Sequence, residues 1–397
     1  GGTDGESATT TGVVNLRIES IEASDSTYNV FDDQELVGIV DAQNESATRF
    51  ARNSMDSVLD RLHEFRLRKN NKGFKNNEIS LQVNLDEIGK NYQDIINHYA
   101  SKGLVSLANY VQNKKGDNTK ENDWQFWING KISTGRTDLK LNNLAKENEM
   151  DSITIGFDKL KNNTLFGIAL NIADDKTDIG NHGSNLTMRG ENLIVYSAWN
   201  SKSLYLDSIL GYGALKSLTE RVVDRSNTSN LVIGDRKSEQ FYGTTYLNYI
   251  KNVDKFDLQL FSGLDYIYTD FNGYSESGNN QKLKFKPHTL TNYTSSIGST
   301  LFYRRENEID KHVSFLKFEY KKDHSEKASI QANLISDSTE KLYTYNYVVP
   351  YSYFMKIETG YNYNTDRGLN VYTKLGRIQK SNDDFENIIT IEFSQSF

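Results

Sequence analysis

The sequence predicts an all-β protein, an antiparallel barrel of twelve strands that spans a membrane, preceded by one long helix. Three observations favour this fold. From residue 124 onward, apolar and polar residues alternate in runs of about ten residues, the length of a membrane-spanning strand. Aromatic residues lie near the ends of these runs, and the connections between runs are alternately short and long.

The composition narrows the class of protein. Mean hydropathy is −0.65 over 397 residues, and no apolar run approaches the roughly 18 residues of a transmembrane helix, so only strands can span a bilayer. The absence of cysteine excludes a disulfide scaffold and cysteine-ligated metal sites, and it suits a chain that crosses an oxidising periplasm. The net charge of −7 provides no basic surface, which argues against nucleic acid as a partner.

The first 34 residues are rich in Gly, Ser, Thr and Asp and contain one short alternating run at residues 13–18. A segment of this length cannot bury a core of its own. Because the chain begins at Gly1 without a methionine or a signal peptide, we expect it to be the C-terminal part of a longer protein.

Residues 35–68 have a period of 3.6, which predicts one helix about 50 Å long. Its narrow apolar stripe consists of Phe50, Met55, Val58, Leu59, Leu62 and Phe65. Arginines are interleaved with this stripe at Arg49, Arg52, Arg61 and Arg66. Such a helix suits a polar tunnel, and a surface helix or coiled-coil stalk is the alternative. Two short helical patterns within residues 76–123 predict a connector.

The strands are predicted from twelve alternating runs. They begin near Trp124, Asp151, Thr164, Met188, Ser203, Ser238, Lys255, Thr289, His312, Tyr353, Gly368 and Phe385. Short connections are predicted at residues 161–163, 200–202, 252–254 and 365–367, and long ones at 174–187, 218–237, 270–288 and 323–352. Short connections of bacterial barrels lie on the periplasmic side.

Aromatic residues near the run ends predict an interfacial girdle. They are Tyr196, Trp199, Tyr212, Tyr249, Tyr266, Tyr268, Tyr293, Tyr303 and Tyr363. A soluble β-sandwich would also alternate, but it would not place aromatic residues at the ends of its strands.

The order of these segments resembles the translocator domain of autotransporters over about residues 35–397. The resemblance lies in the helix with DRLHEFR at residues 60–66, WQFW at 124–127, ITIGFD at 153–158 and the terminal Phe397. It implies a 12-stranded antiparallel transmembrane β-barrel with the helix threaded through the lumen. Residues 1–34 would be a passenger stalk remnant, 35–75 the lumen helix, 76–123 a short helical connector and 124–397 the barrel.

The resemblance also implies a function: an outer-membrane translocator that exports an N-terminal passenger and anchors it at the surface of a Gram-negative bacterium. The implied partners are outer-membrane lipid and lipopolysaccharide, the outer-membrane assembly machinery, periplasmic chaperones and the chain's own passenger. We expect a monomer without enzymatic activity or cofactor. A porin-like or enzymatic barrel with a plug helix is the alternative, and a soluble surface adhesin would not explain the alternating connection lengths.

Three groups of functional residues follow. The last strand would carry the assembly signal at Ile389, Ile391, Phe393 and Phe397. Helix residues Arg49, Arg52, Asp56, Arg61 and Arg66 would lie in the lumen. Lumen-facing charges, expected to pair with each other or with the helix arginines, are Asp158, Asp257, Asp265, Lys356, Glu358, Lys374 and Glu392.

No catalytic or metal site is predicted. The six histidines lack metal-ligand spacing, and the sequence contains no Gly-x-Ser-x-Gly motif. Some autotransporters cleave their passenger at an Asn-Asn pair in the helix, but Asp56 and Ser57 stand near that position here, so we predict no self-cleavage. The acidic pair Asp174 and Asp175 is expected to be solvated or to contact cations bound to lipopolysaccharide.

Overall fold

The computed structural model describes residues 29–69, 124–138, 144–223, 231–278, 281–306, 310–365, 369–380 and 384–396. The predicted stalk up to residue 28, the connector at 76–123 and Phe397 lie outside these ranges. The helices are a 3₁₀ turn, η1 (Val30–Asp32), and α1 (Gln34–Lys69). The strands are β1 (Trp124–Thr137), β2 (Lys146–Lys161), β3 (Thr164–Ile179), β4 (Ser184–Ser201), β5 (Leu204–Val222), β6 (Leu231–Val253), β7 (Phe256–Phe271), β8 (Tyr274–Ser275), β9 (Ser277–Gly278), β10 (Leu283–Phe285), β11 (His288–Glu306), β12 (Asp310–Asp323), β13 (Ala328–Leu334), β14 (Tyr343–Tyr347), β15 (Tyr353–Thr365), β16 (Leu369–Gln379) and β17 (Phe385–Ser396).

Twelve of these strands form a closed antiparallel barrel, which confirms the predicted fold class. Its order is β1 to β7, then β11, β12, β15, β16 and β17, so each barrel strand pairs with the next barrel strand along the chain. The last strand returns to the first, with partners running from Gln125 and Ser396 to Arg136 and Phe385. Closure leaves none of the twelve strands with an unpaired side.

The two faces of the barrel wall differ as the alternation predicts. On β7, Leu258, Leu260 and Leu264 point outward with 39%, 49% and 68% of their surface exposed, whereas Asp257 and Asp265 point inward and are buried. An apolar outer face and a polar inner face are the arrangement expected of a barrel in lipid. No helix among the described residues is both long and apolar enough to cross a membrane, a finding that does not bear on strands.

Among the described residues, three connections at one end of the barrel are tight two-residue turns. They lie at residues 162–163, 202–203 and 254–255, close to three of the four predicted short connections; the fourth lies partly outside the described residues. Each turn opens on a residue with positive φ, namely Asn162, Lys202 and Asp254. Asn and Asp adopt this conformation more readily than other residues with side chains.

Two predicted long connections are wrong in extent. Strand β3 continues to Ile179 and β4 begins at Ser184, so most of residues 174–187 is strand. Likewise, β5 continues to Val222 and β6 begins at Leu231, so most of residues 218–237 is strand. The alternation of buried and exposed residues persists there, but most of the outward residues are polar, with Leu218 and Ile233 among the exceptions. Where these strands extend beyond the apolar band of the barrel, apolar and polar residues no longer alternate in the sequence. For that reason these stretches were predicted as loops.

The other two long connections fold into a small surface sheet in the order β14, β13, β10, β8. This sheet packs over the beginning of α1. Its buried residues form one apolar cluster with the start of the helix, including Phe31, Leu36, Phe285, Ile330 and Tyr347.

Candidate functional site

The barrel lumen is occupied by α1. The helix packs against strands on several sides, most extensively β3, β4 and β5, and its ion pairs reach β12, β15 and β16 across the barrel. Polar residues as well as apolar ones are buried along its length, among them Asn44, Ser54 and Arg61. Because these polar side chains are buried inside the barrel, they need polar partners on the inner wall around the helix.

Arg61 is the most heavily bonded side chain of the helix. Its guanidinium donates to both carboxylate oxygens of Asp158, at 2.7 and 2.8 Å, and to Gln125 at 2.6 Å. It also pairs with Glu64 one turn further along α1. The Tyr196 hydroxyl donates to the same Asp158 carboxylate at 2.9 Å, so the carboxylate that receives Arg61 is itself fixed by the wall.

Two further helix arginines meet aspartates on the same half of the barrel. Arg49 donates to Asp175 on β3 at 2.6 Å, and Arg66 donates to Asp207 on β5 at 2.6 Å. Asn248 also donates to Asp207, at 3.0 Å. We call β2, β3 and β5, which carry Asp158, Asp175 and Asp207, the acidic side of the lumen.

Two helix carboxylates, Asp56 and Asp60, meet lysines on the opposite half, whereas Glu45 pairs with Lys146 of β2 at 2.6 Å. Lys356 on β15 lies 2.7 Å from Asp56, and Lys374 on β16 lies 2.6 Å from Asp60. Glu358 lies between the two lysines, 3.2 Å from Lys356 and 2.8 Å from Lys374. We call β15 and β16, with these two lysines, the basic side.

The remaining predicted lumen residues have different partners. Arg52 pairs with Asp323 on β12 at 3.2 Å. Asp257 pairs with Arg304, and Asp265 with Lys321 at 3.0 Å, both within the wall. Glu392 accepts from Asn129 at 3.2 Å and lies 4.0 Å from Arg61. Of the predicted lumen charges, Asp158 and Glu392 lie within ion-pair distance of a helix arginine.

Apolar contacts fill the space between the charged pairs. Met55, Val58 and Leu62 of α1 join wall residues in one cluster, among them Ala169 and Tyr242. Gly211 leaves room for the Tyr242 ring, because a Cβ atom at position 211 would overlap that ring. Small residues on the wall therefore leave room for aromatic side chains inside the barrel.

The start of the helix is held at the long-loop end of the barrel. Asp33 lies 3.3 Å from Arg221 at the end of β5, and Glu35 lies 3.1 Å from His182 in the turn between β3 and β4. Asp41 accepts from the Tyr345 hydroxyl of the surface sheet at 2.9 Å. Burial, followed by the nearby Asp41 carboxylate, raises the pKa of Tyr345, so its hydroxyl remains a donor at neutral pH.

The direction of α1 follows from these contacts. Its N-terminal turn touches the long connections, whereas Arg61 and Arg66 near its C-terminal end bind Asp158 and Asp207, which lie a few residues from the short turns. The helix thus runs from the long-loop end to the short-turn end.

A cavity of about 90 Å³ remains between the helix and the wall. It is lined by Arg52 and Asp56 of α1, by Lys321 and Lys356 of the wall, and by Tyr351 of the connection before β15. Most of the residues that line it carry polar or charged side chains, so the space that α1 leaves in the lumen is of a size and chemistry that can hold water.

The barrel closes where β1 and β17 meet. Ile389, Ile391 and Phe393 of the predicted assembly signal point outward, with 51%, 44% and 40% of their surface exposed. They lie opposite Ile132, Gly130 and Ile128 of β1.

Two sequence interpretations are corrected at this site. Tyr196 does not belong to the outer girdle: it is buried in the lumen, where it accepts a hydrogen bond from Trp127 at 2.7 Å. Asp175 is not solvated but buried against Arg49, while Asp174 points outward to Arg189 at 2.7 Å. Counting alternate residues along each strand would have placed both side chains correctly, because successive residues face opposite sides.

The sequence interpretation also missed Asp207 and Asp323, which receive Arg66 and Arg52. Within the described residues, no group of three or more His, Asp or Glu side chains is placed to hold a metal ion.

Comparison with known proteins gives a family and a fold. The family model of the autotransporter β-domain matches residues 126–376. The translocator domain of the autotransporter NalP from Neisseria meningitidis superposes with a TM-score of 0.57 at 12% identity, covering 77% of this chain and 98% of that one. The β-domain of the Bordetella autotransporter BrkA gives 0.49 at 11% identity, covering 68% and 99%. No curated protein matches the sequence.

Proposed function

This chain belongs to the autotransporter β-domain family, and from that premise we propose that it exports an N-terminal passenger through the outer membrane and holds it at the cell surface. The family is one of transporters, and an outer-membrane location agrees with it. Export, surface exposure and the absence of enzymatic activity in this chain are our proposals.

One observation carries the proposal: the direction of α1 in the lumen. The helix begins at the long-loop end, beside Arg221 and Tyr345, and ends near the short turns. Long connections of bacterial barrels lie outside the cell and short turns lie in the periplasm. A segment joined to the start of α1 therefore emerges on the outside.

The same direction supports our division of the chain. Residues 1–34 would be the end of the passenger stalk, and 35–75 the lumen helix. Since α1 ends at Lys69 and β1 begins at Trp124, both at the short-turn end, residues 76–123 would connect them on the periplasmic side before the barrel at 124–397. The helix, paired on both sides of the lumen, would close the pore.

Assembly would depend on the last strand. Ile389, Ile391 and Phe393 point outward from β17, and with Phe397 they would form the signal that the outer-membrane assembly machinery reads by strand addition before β17 closes on β1. Periplasmic chaperones would protect the open edges until then, and membrane lipid and lipopolysaccharide would cover the apolar outer face afterwards. Because closure leaves no barrel edge for a second copy, we propose a monomer.

We also propose that the passenger stays attached. The residue near the scissile position of self-cleaving relatives is Asp56, whose carboxylate is held by Lys356 at 2.7 Å. It has no side-chain amide to attack its own carbonyl group. Asp56→Ala should leave passenger attachment unchanged, and a released passenger that this substitution abolishes would contradict the proposal.

The test of export uses an epitope tag before Gly1 and protease added to intact Gram-negative cells expressing the full chain. We expect the tag to be removed while a periplasmic marker protein stays intact. The alternative, a porin-like or enzymatic barrel with a plug helix, does not require a segment outside the cell. A tag that stays protected in intact cells while the barrel is in the outer membrane would favour that alternative.

A further inference from the structure

The apolar band on the outside of the barrel does not have the same height on all strands. Two hairpins, β2 with β3 and β6 with β7, allow a matched comparison, because each is joined by a two-residue turn at the same end of the barrel. On the outer face, Lys159 and Lys251 each lie three residues before the turn of their hairpin. The limit of the band at the short-turn end is therefore the same on both hairpins.

The limit at the long-loop end differs between the two hairpins. On β2 the next charge on the outer face is Asp151, eight residues from Lys159. The outward residues between them are Ile153, Ile155 and Phe157. On β6 the next outward charge is Glu239, twelve residues from Lys251. A strand tilted by about 40° gains about 2.6 Å of height per residue, so these separations correspond to about 21 and 31 Å.

The partner strands repeat this difference. Asp174 on β3 stands opposite Asp151, and Asp270 on β7 stands opposite Glu239. A tilt of the whole barrel in a flat membrane would shift both limits of one hairpin in the same direction. Because the limits at the short-turn end agree and only those at the long-loop end differ, the band is shorter on β2 and β3, not displaced.

The short band continues across the closure of the barrel. On the outer face, one row of successive cross-strand partners runs over β17, β1, β2 and β3, and its four residues are polar and exposed. They are Asn387, Thr134, Glu149 and Lys176. The next outward residues toward the short turns are apolar on the two closing strands, Ile389 on β17 and Ile132 on β1. The polar row thus bounds the apolar band beside the closing strands.

We propose that the lipid bilayer is thinned beside β17, β1, β2 and β3, so that the strands that close the barrel lie in the thinnest part of the membrane. The apolar band of an outer-membrane barrel is about 25 Å tall, which β6 and β7 match or exceed and β2 does not reach. A bilayer adapts to a short apolar surface by becoming thinner.

This inference rests on the outer-membrane location that we propose, and it adds where lipid and barrel are mismatched. Unpaired backbone groups are unfavourable in hydrocarbon. Thinner lipid beside β1 and β17 leaves less hydrocarbon around the edges of these two strands before they pair, which favours closure at this place.

The first test measures the depth of spin labels in the full chain, reconstituted into vesicles of dioleoylphosphatidylcholine. Ile172→Cys on β3 and Leu264→Cys on β7 lie equally far from their turns, and the chain has no cysteine of its own. Depth follows from the accessibility of each label to oxygen and to a water-soluble nickel complex. We expect the label at 172 to lie about 10 Å closer to the membrane surface than the label at 264.

A second pair of labels separates thinning from tilt. Phe166→Cys and Leu258→Cys lie equally close to the short turns and should have equal depths. A label at 166 deeper than that at 258 would show a tilted barrel, and equal depths at 172 and 264 would show a flat membrane; either result overturns the proposal. If all four labels of a folded barrel lay in water, the outer-membrane location itself would be wrong.

The second test lengthens the short band. In protein with Asp151→Leu and Asp174→Leu, the next outward charges on these strands are two residues further from the turns, at Glu149 and Lys176. The label at 172 should then lie about 5 Å deeper.

The matched control is Glu239→Leu with Asp270→Leu. It should leave the depth of the label at 264 unchanged, because the band on β6 and β7 already spans the hydrocarbon core. An unchanged depth at 172 in the Asp151→Leu and Asp174→Leu protein, with the barrel folded by gel migration, would overturn the proposal.

Discussion

The charged residues of the lumen determine how the helix is oriented. Arg49, Arg61 and Arg66 meet aspartates on the acidic side, and Asp56 and Asp60 meet lysines on the basic side. Rotating the helix by half a turn would turn these three arginines toward the lysines of the basic side, and Asp56 and Asp60 toward the aspartates of the acidic side. Since burying ions offsets much of the attraction between them, we infer that these pairs specify the orientation of α1 more than they stabilise it.

Removing Arg61 should be costly. Arg61→Ala leaves Asp158 and Glu64 buried without their cation, which typically costs about 3–5 kcal/mol. We expect a lower temperature for the heat-induced change in gel migration of the purified protein. The control is Arg189→Ala, which breaks an exposed pair with Asp174 worth about 1 kcal/mol or less. Equal effects of the two substitutions would contradict this assignment.

Replacing both members of a buried ion pair should cost little stability, whereas removing only one member should cost much more. Arg66→Met and Asp207→Leu each leave one buried charge, so each single variant should lose about 3–5 kcal/mol of unfolding free energy. The double variant removes both charges, and we expect it to lie within about 1 kcal/mol of the unmodified protein. Chemical unfolding of all four proteins measures the coupling; additive losses would show that the two residues act independently.

Residue positions were predictable where a strand had a clear alternation. Asp257 and Asp265 were placed on the correct face because β7 alternates without interruption. Tyr196 and Asp175 were misplaced because their residue types, an aromatic near a run end and an acid in a polar stretch, outweighed their positions in the alternation. The partner of each buried charge could not be predicted from the sequence, because the pairing depends on the rotation of α1 about its axis and on the tilt of the barrel strands.

At the scale of elements, the helix and the twelve barrel strands were predictable from the period of their apolar residues. The helix has a period of 3.6 residues, and each strand has a period of two because it faces lipid on one side and the lumen on the other. The start of β6 differs most from its prediction, at Leu231 against Ser238. The surface sheet was not predicted, because two of its four strands, β8 and β10, have only two and three residues, too few to show a period.

The helix as an element should control conductance. Deleting residues 1–75 removes α1 and should raise single-channel conductance in planar bilayers several-fold, because the lumen would then be open to water. Deleting residues 1–28 retains α1 and should leave conductance near that of the full chain. Equal conductance of the two truncated proteins would place the helix outside the conducting path.

At the scale of the whole molecule, the lumen is closed in two places. The helix fills it along its length, and the surface sheet packs on the helix start at the long-loop end. Both closures depend on residues 30–40, which join the apolar cluster of the sheet and begin the helix. The barrel strands alone therefore do not fill the lumen; the segment that precedes them, residues 30–69, occupies it.

We expect export to depend on closure of the barrel by its last strand. The final strand pairs with β16 on one side and with β1 on the other, so the barrel cannot close until β17 is in place. We propose that Phe397 anchors the end of this strand when the assembly machinery receives it. Deleting Phe397 should leave the protein in the periplasm, and a tag before Gly1 should become inaccessible to protease added to intact cells. Ser396→Ala, one residue away, should retain display, as measured by cell fractionation and protease accessibility. Display at the level of the unmodified protein after Phe397 is deleted would refute the assembly signal, because β17 would then reach its place between β16 and β1 without its terminal residue.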